Sequence, residues 1–215
     1  MRASKSVFTV EGTFIEPNMT EAQGGFKEVV VQKQDVGRLL ENLDVRKAMG
    51  PDGVSDWTLK ECKEQLVQPI WEVITSSIKE GRVPKEWKRA NIVPIYKGGK
   101  KTDPLNYRPV SLTSVVSKIC EILIKEKWVR YLEDNKVISN RQFGFRQGKS
   151  CVTNLLSFYT QVIEGIEDRD GWVDVVYLDI KKAFDTVPHE RLLWKLKHRW
   201  TTRETIKMDA GLFER

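Results

Sequence analysis

The feature that most restricts the fold is a nearly continuous apolar run late in the chain, WVDVVYLDI, residues 172–180. Its valines and its tyrosine favour a β-strand. Because the run is apolar with little alternation, both faces of such a strand have to be covered. The sequence therefore predicts a buried strand over residues 172–180, and with it a fold that contains a sheet.

Two aspartates accompany this predicted strand. Asp179 stands at its end, and Asp185 follows six residues later, after Lys-Lys-Ala-Phe. A carboxylate at the mouth of a buried strand is costly unless it is paired or binds a cation. Magnesium takes such oxygen ligands together with substrate phosphates. From the spacing alone, a magnesium site and a cap of the following helix by Asp179 are both open.

The rest of the pattern is mostly helical. Apolar residues at i, i+3, i+4 and i+7 predict an amphipathic helix around residues 36–43. Pro69 suits the first turn of a helix and Gly81 a C-terminal cap. Further helices are predicted over about 56–67, 69–79, 114–132, 151–166 and from residue 188 onward.

Residues 90–97 predict a short strand with Pro94 at an edge or a bulge. The stretch KGGKKTDPLNYRP that follows predicts a flexible basic loop. Residues 1–32 and the tail after Trp200 carry no clear pattern.

The positive charge is concentrated in one stretch. The chain has 215 residues and a formal net charge of +6, and residues 79–108 hold nine lysines and arginines against three acidic residues. This window therefore accounts for the whole excess. A localised basic stripe predicts a polyanionic partner, most often nucleic acid. A solvated surface is the alternative for a charge run taken alone.

The stretch QFGFRQGKS, residues 142–150, resembles a phosphate-binding P-loop but is one residue short between its glycines. A P-loop also follows a buried apolar strand, whereas EDNKVISNR precedes this stretch. Both observations argue against a P-loop.

Cysteine usage and the N-terminal sequence bear on the compartment. The three cysteines are far apart and show no zinc-site spacing, and their odd number is typical of a reducing compartment. The start of the chain lacks the apolar core of a signal peptide, and no run is long and apolar enough to span a membrane. We expect an intracellular protein that is neither secreted nor bound to a membrane.

Five segments in a fixed order resemble the reverse transcriptase of non-LTR (LINE-like) retrotransposons. They are KAMGPDGV, VPKEWKRANIVPIYKGGK, NYRPVSLTSVVSKICEILI, QFGFRQGKS and VYLDIKKAFDTVPHERLLWKL. The resemblance runs from about Val36 to about Leu196, and it likens QFGFRQGKS to a finger motif of these polymerases.

The resemblance implies an α+β fold, a partial right hand with mostly helical fingers and the first strand or strands of a palm sheet. It implies a loose extension over residues 1–32, fingers over 33–171, and the start of the palm over 172–215 with an unpatterned tail. It also implies an RNA template, a DNA primer and a dNTP as partners, and two magnesium ions as cofactors.

Matching motifs imply four roles at the palm. Asp179 corresponds to the first catalytic aspartate, a ligand of both magnesium ions, and the carbonyl of Ile180 would lie beside the second ion. Phe184 corresponds to the steric gate that disfavours a 2′-OH. Asp185 is expected to give structural support.

Three basic residues acquire roles in the same way. Arg108 in NYRP and Lys118 in SK match finger positions that face the incoming triphosphate or the template. Arg146 in GFR is a candidate for contact with the nucleic-acid backbone.

Two departures from the family pattern limit these expectations. Ser150-Cys151 stands where the family has Ser-Thr, and the 215 residues contain no Asp-Asp pair, which the family supplies in a downstream Tyr-x-Asp-Asp hairpin. Because two metal ions need carboxylates from separate strands, we expect a truncated chain that does not polymerise alone. The alternatives are a non-catalytic nucleic-acid-binding remnant and a decayed product without a folded function.

Overall fold

The computed structural model describes residues 29–168, 171–179 and 187–199. They fall into two compact units. The first unit contains residues 29–129 and 187–199, and the second contains residues 130–168 and 171–179.

The described residues combine helices with one small sheet, so the structure is α+β in the coarse sense predicted. The helices and strands, in chain order, are α1 (Lys33–Glu41), α2 (Asp56–Glu61), α3 (Lys63–Glu80), β1 (Ala90–Tyr96), β2 (Tyr107–Thr113), α4 (Val115–Asp134), α5 (Cys151–Glu167) and α6 (His189–Arg199). Short 3-10 turns lie at Lys85–Lys88 and Pro104–Asn106.

The core of the first unit joins α1, α2, α3 and α4. The predicted amphipathic helix is confirmed as α1, in which Val36 and Leu40 are fully buried. They pack in one cluster with Ile74 of α3 and with Ile119 and Leu123 of α4. Burial of such side chains is worth roughly 1.5–3 kcal/mol each, so this cluster fixes where α4 begins and which face of it points inward.

Residues 29–32, predicted as the end of a loose extension, contribute to this core. Val29 and Val31 are buried while Val30 is half exposed. The indole Nε1 of Trp71 donates a hydrogen bond of 2.9 Å to the carbonyl of Val31, which ties this extended segment to α3.

The predicted boundary between two helices at Pro69 is wrong. The break lies at Cys62, and Pro69 lies inside α3. A proline in a helix loses one backbone hydrogen bond, but α3 continues because Ile70, Ile74 and Ile78 all bury against the core. Gly81 ends the helix in the left-handed conformation (φ 62°), as predicted.

The predicted strand at residues 90–97 is confirmed as β1, and it pairs antiparallel with β2. Pro94 lies opposite Pro109. Neither proline can donate to the ladder, so their nitrogens face away from the partner strand. Each strand is an edge of the two-stranded sheet, which confirms the predicted edge position of Pro94.

Strand β2 was missed in the sequence because Asn106, Pro104 and Pro109 favour a loop. The pairing partner explains the difference, since YRPVSLT forms a strand by pairing with β1. Helix α4 follows directly and begins at Val115. On α4 the side chains of Cys120 and Ile124 are buried, whereas Ile122 is exposed.

In the second unit, α5 is confirmed and starts at a capping box. The amide of Thr153 donates to Ser150 Oγ (3.1 Å), and the amide of Ser150 donates to Thr153 Oγ1 (2.9 Å). Most apolar side chains of α5 are nevertheless exposed, among them Val152, Leu155 and Tyr159.

The predicted buried strand is wrong for residues 172–179, which form no regular secondary structure. Val176, Tyr177 and Leu178 are 78–90% exposed. A strand needs hydrogen bonds to a neighbouring strand, and the strands among the described residues pair only with each other. Ile180 lies outside the described residues.

Helix α6 confirms the last predicted helix. It begins at His189, and its Trp194 and Leu196 side chains are buried. Among the helices of residues 29–168 and 187–199, none combines the length and apolarity that crossing a bilayer demands.

Candidate nucleic-acid interface

The basic window is an exposed surface of the first unit. Eight of its nine cationic side chains are exposed and form no ion pair with any residue that the structure describes. They are Lys79, Arg82, Lys85, Arg89, Lys97, Lys100, Lys101 and Arg108. Unneutralised cations on one surface raise its affinity for polyanions.

The register of the hairpin separates two faces at its tip. Arg108 lies opposite Ile95, and this pair lies on the same face of the hairpin as the pair Val93 and Val110. Tyr96 and Tyr107 are paired on the other face, with their ring centroids 5.5 Å apart. Arg108 is exposed, so its guanidinium is available to a phosphate from solvent.

The loop between the strands, residues 97–106, is ordered by side chains that the prediction of a flexible loop overlooked. Tyr96 Oη donates to the carbonyl of Gly99. Asn106 Nδ2 donates to the carbonyl of Lys100 (2.9 Å), and Tyr107 Oη donates to that of Lys101 (2.9 Å). Three successive carbonyls are therefore fixed by three side chains, and we name residues 97–106 the lysine loop.

Lys118 lies in the first turn of α4, close to the turn that contains KAMGPDGV. Asp56, the first residue of α2, is buried, and burial raises the pKa of its carboxyl while Lys118 and then Lys47 lower it. Gly50 packs against the peptide that joins Thr113 to Ser114, the entrance of α4. The structure thus brings Lys118 and the KAMGPDGV turn together.

Arg146 forms an ion pair and a backbone hydrogen bond within the second unit. Its Nε and Nη2 donate to the two carboxylate oxygens of Glu133, with an Nε–Oε1 distance of 2.8 Å, and its Nη1 donates to the carbonyl of Ser139 (2.9 Å). The Arg146 guanidinium lowers the pKa of the Glu133 carboxyl. The next residue toward the N-terminus, Phe145, is 91% exposed with a left-handed backbone (φ 60°).

The palm residues are only partly described. Asp179 is exposed at the end of the irregular segment, while Ile180, Phe184 and Asp185 lie outside the described residues, as does any helix that Asp179 would cap. Across residues 29–168, 171–179 and 187–199, no group of three or more His, Cys, Asp or Glu could hold a metal ion.

Several residues that position the candidate side chains within each unit are not among those predicted from the sequence. Tyr96, Asn106 and Tyr107 fix the lysine loop, Glu133 holds Arg146, and Asp56 lies near Lys118. One signal was present for the first group, since tyrosines stand at both ends of the loop. Glu133 and Asp56 gave none, because their partners are set by the fold.

The comparisons with known proteins agree with the ordered motifs. The family model described as reverse transcriptase (RNA-dependent DNA polymerase) matches residues 99–210, just over half of the 215-residue chain. The match begins inside the lysine loop and includes Arg108, Lys118, Arg146 and Asp179.

Named relatives point the same way. The RNA-directed DNA polymerase from mobile element jockey of Drosophila melanogaster is 33% identical over 186 residues, which are 86% of this chain and 20% of the relative. The probable RNA-directed DNA polymerase from transposon BS of the same species is 30% identical over 168 residues, 78% of this chain and 18% of the relative.

A more distant relative is the retrovirus-related Pol polyprotein from type-1 retrotransposable element R2 of Popillia japonica, 29% identical over 52% of this chain and 15% of its own length. The chain thus spans about a fifth or less of the curated relatives it matches. These findings confirm the resemblance to non-LTR elements, and the chain belongs to the reverse transcriptase (RNA-dependent DNA polymerase) family.

Proposed function

We propose that this chain is part of the polymerase region of an RNA-directed DNA polymerase of a non-LTR retrotransposon, with the fingers and the beginning of the palm of a right-hand fold. Its ligands are an RNA template, a DNA primer and the incoming dNTP. An intracellular site of action remains a prediction from the sequence.

Nucleic-acid binding is supported most directly by the exposed basic window on and before the hairpin. Eight cations without ion-pair partners among the described residues repel one another unless counterions or a polyanion neutralise them. Phosphate neutralisation with release of counterions is the main source of affinity for nucleic acid. Arg108 and Lys118 are proposed to face the triphosphate or the template.

Catalysis is proposed for the polymerase as a whole. Asp179 and the carbonyl of Ile180 would hold magnesium, which would stabilise the charge that develops during phosphoryl transfer. Phe184 would exclude a 2′-OH, and Asp185 would support the site. Because the 215 residues contain no Asp-Asp pair, we expect this polypeptide alone to bind primer–template without extending it.

The test is a binding titration by fluorescence anisotropy. A labelled RNA template annealed to a DNA primer is titrated at low and moderate salt, with and without magnesium and the next complementary dNTP. We expect salt-sensitive binding that tightens with the correct dNTP, and no primer extension. Failure to bind at low salt would contradict the proposal.

Primer extension that requires magnesium and disappears in Asp179→Ala would contradict the expected inactivity while supporting the assignment of Asp179. Binding that is salt-sensitive but indifferent to dNTP would favour the second candidate, a non-catalytic nucleic-acid-binding remnant. The exposure of Asp179 in an irregular segment is the observation that favours this candidate.

A further inference from the structure

The lysine loop has more internal order than its place on the surface requires. Beyond the three side-chain bonds to its carbonyls, the amide of Lys97 donates to the carbonyl of Asn106 (2.8 Å) and closes the neck of the loop. The carboxylate of Asp103 accepts from the amide of Leu105 (2.9 Å). Gly99 is left-handed (φ 92°), and a Cβ there would lie 2.7 Å from the Asn106 side chain.

None of this order serves the core. The loop residues are exposed or half-buried, and none belongs to the buried cluster. The ordered backbone instead positions three charges, because Lys97, Lys100 and Lys101 are exposed without an ion pair among the described residues. Lys101 Nζ lies 6.0 Å from the centroid of the Tyr96 ring.

Fixed cations bind an extended polyanion better than mobile ones, because less conformational entropy is lost on binding. A lysine carries four rotatable bonds, but the backbone that carries it need not move. Three successive carbonyls held in place leave the Cα positions of these lysines defined before any ligand arrives.

We propose that the lysine loop is a preorganised binding element for the phosphate backbone of a nucleic-acid strand. In it, Tyr96, Asn106 and Tyr107 act as positioning residues. They carry no charge to the ligand and act by holding the loop that carries the three lysines. The inference rests on the proposed function, since it assigns the lysine loop to the nucleic-acid surface and explains why the loop is held by hydrogen bonds.

The test separates charge from positioning with two double variants. Tyr96→Phe/Tyr107→Phe keeps both rings and every lysine and removes only the two hydroxyl donors. Lys100→Gln/Lys101→Gln keeps the donors and removes two charges. Tyr159→Phe, at an exposed tyrosine of α5, and Lys33→Gln, at an exposed lysine of α1, are the matched controls.

Affinity for the labelled RNA–DNA primer–template is measured across a salt series. We expect the tyrosine variant to bind roughly 3- to 10-fold more weakly with an unchanged salt slope, since only preorganisation is lost. We expect the lysine variant to reduce the slope by about 0.7–0.9 for each phosphate contact removed. The controls should bind as the unaltered chain does.

Amide hydrogen exchange supplies a readout that affinity alone does not give. The amides of Lys97, Asp103 and Asn106 are hydrogen-bonded, and they should exchange faster in the tyrosine variant while those of α3 are unchanged. Faster exchange without loss of affinity would overturn the positioning role. If the lysine variant binds as tightly as the unaltered chain, the loop is not a binding element, and the proposed function still stands. If the unaltered chain does not bind at all, the proposed function itself is overturned.

Discussion

At Gly50 the backbone leaves no room for a side chain. A Cβ there would lie 2.6 Å from the carbonyl oxygen of Thr113 and 2.8 Å from the amide nitrogen of Ser114. Both are backbone atoms at the start of α4 and cannot rotate away. We expect Gly50→Ala to lower the free energy of unfolding by about 2–4 kcal/mol, measured by urea denaturation.

Gly37 is the matched control, because it is a helical glycine whose Cβ would meet Val67 Cγ2 at an ordinary 3.6 Å. Gly37→Ala should therefore stabilise the first unit by about 0.5–1 kcal/mol through helix propensity. Equal effects of the two substitutions would contradict the packing of the KAMGPDGV turn against α4.

The burial of the Asp56 carboxyl predicts how the free energy of unfolding depends on pH. Burial raises the pKa of this group above its ordinary 3.8. The folded state then holds a proton that the unfolded chain has released, so the stability that Asp56 contributes falls as pH rises through the folded pKa. The unfolding free energy of Asp56→Asn should increase relative to that of the unaltered chain between about pH 3 and pH 7.

Urea midpoints of both proteins over this pH series check the prediction. The depressed pKa values of Glu41 and Glu133 act in both proteins and cancel in the difference. A constant difference would show that the pKa of Asp56 has no net shift on folding, and a difference that changes in the opposite direction would show that attraction to Lys118 and Lys47 outweighs burial.

At the scale of elements, the pair Arg146–Glu133 connects the end of α4 to the loop before α5. The loop also contains two backbone hydrogen bonds, from the amide of Gln142 to the carbonyl of Ser139 (2.9 Å) and from the amide of Lys149 to the carbonyl of Arg146 (3.4 Å). Both require the loop conformation that the ion pair holds. Arg146→Glu or Glu133→Arg alone should accelerate amide exchange over residues 135–149. The double exchange of the two residues should restore most of the protection, because the pair is re-formed with its charges reversed, while the hydrogen bond from residue 146 to the Ser139 carbonyl is lost.

The same double exchange tests the predicted contact between Arg146 and nucleic acid. If Arg146 also contacts a phosphate, the exchanged protein regains its loop but binds primer–template more weakly. Recovery of both protection and affinity would show that Arg146 stabilises the loop and does not contact nucleic acid. Exchange rates unaffected by either single variant would contradict the structural role.

At the scale of the whole molecule, the second unit exposes a large apolar surface. Leu155, Leu156, Tyr159 and Ile163 on α5 are all at least half exposed, and contiguous apolar surface favours association. We expect the 215-residue chain to self-associate at micromolar concentration, seen as a sedimentation coefficient that rises with concentration. Leu155→Lys/Tyr159→Lys should suppress the rise.

Asn154→Lys/Gln161→Lys is the control for added charge. It places two lysines at exposed polar positions of the same helix and leaves the apolar residues in place. Suppression by this control as well would attribute the effect to net charge, and a chain that stays monomeric at every concentration would contradict the prediction.

Sequence by itself determined what depends on neighbours along the chain. The periodicity around Val36 and Leu40, the end of α3 at Gly81 and the start of α5 at Ser150 are local, because helix bonds and caps connect residues three or four apart. The ordered motifs also determined the family. Each of these features was predicted because its partners are adjacent in the printed sequence.

Tertiary structure decided what depends on distant partners. Strand β2 exists through β1, Pro69 is tolerated inside α3 through the core, and Arg146 is held by Glu133. Residues 172–179 have the composition of a strand but no strand beside them among the described residues, and they stay irregular. The physical reason is that a sheet hydrogen bond or a half-buried ion pair stabilises the fold only when the fold brings its second partner into place.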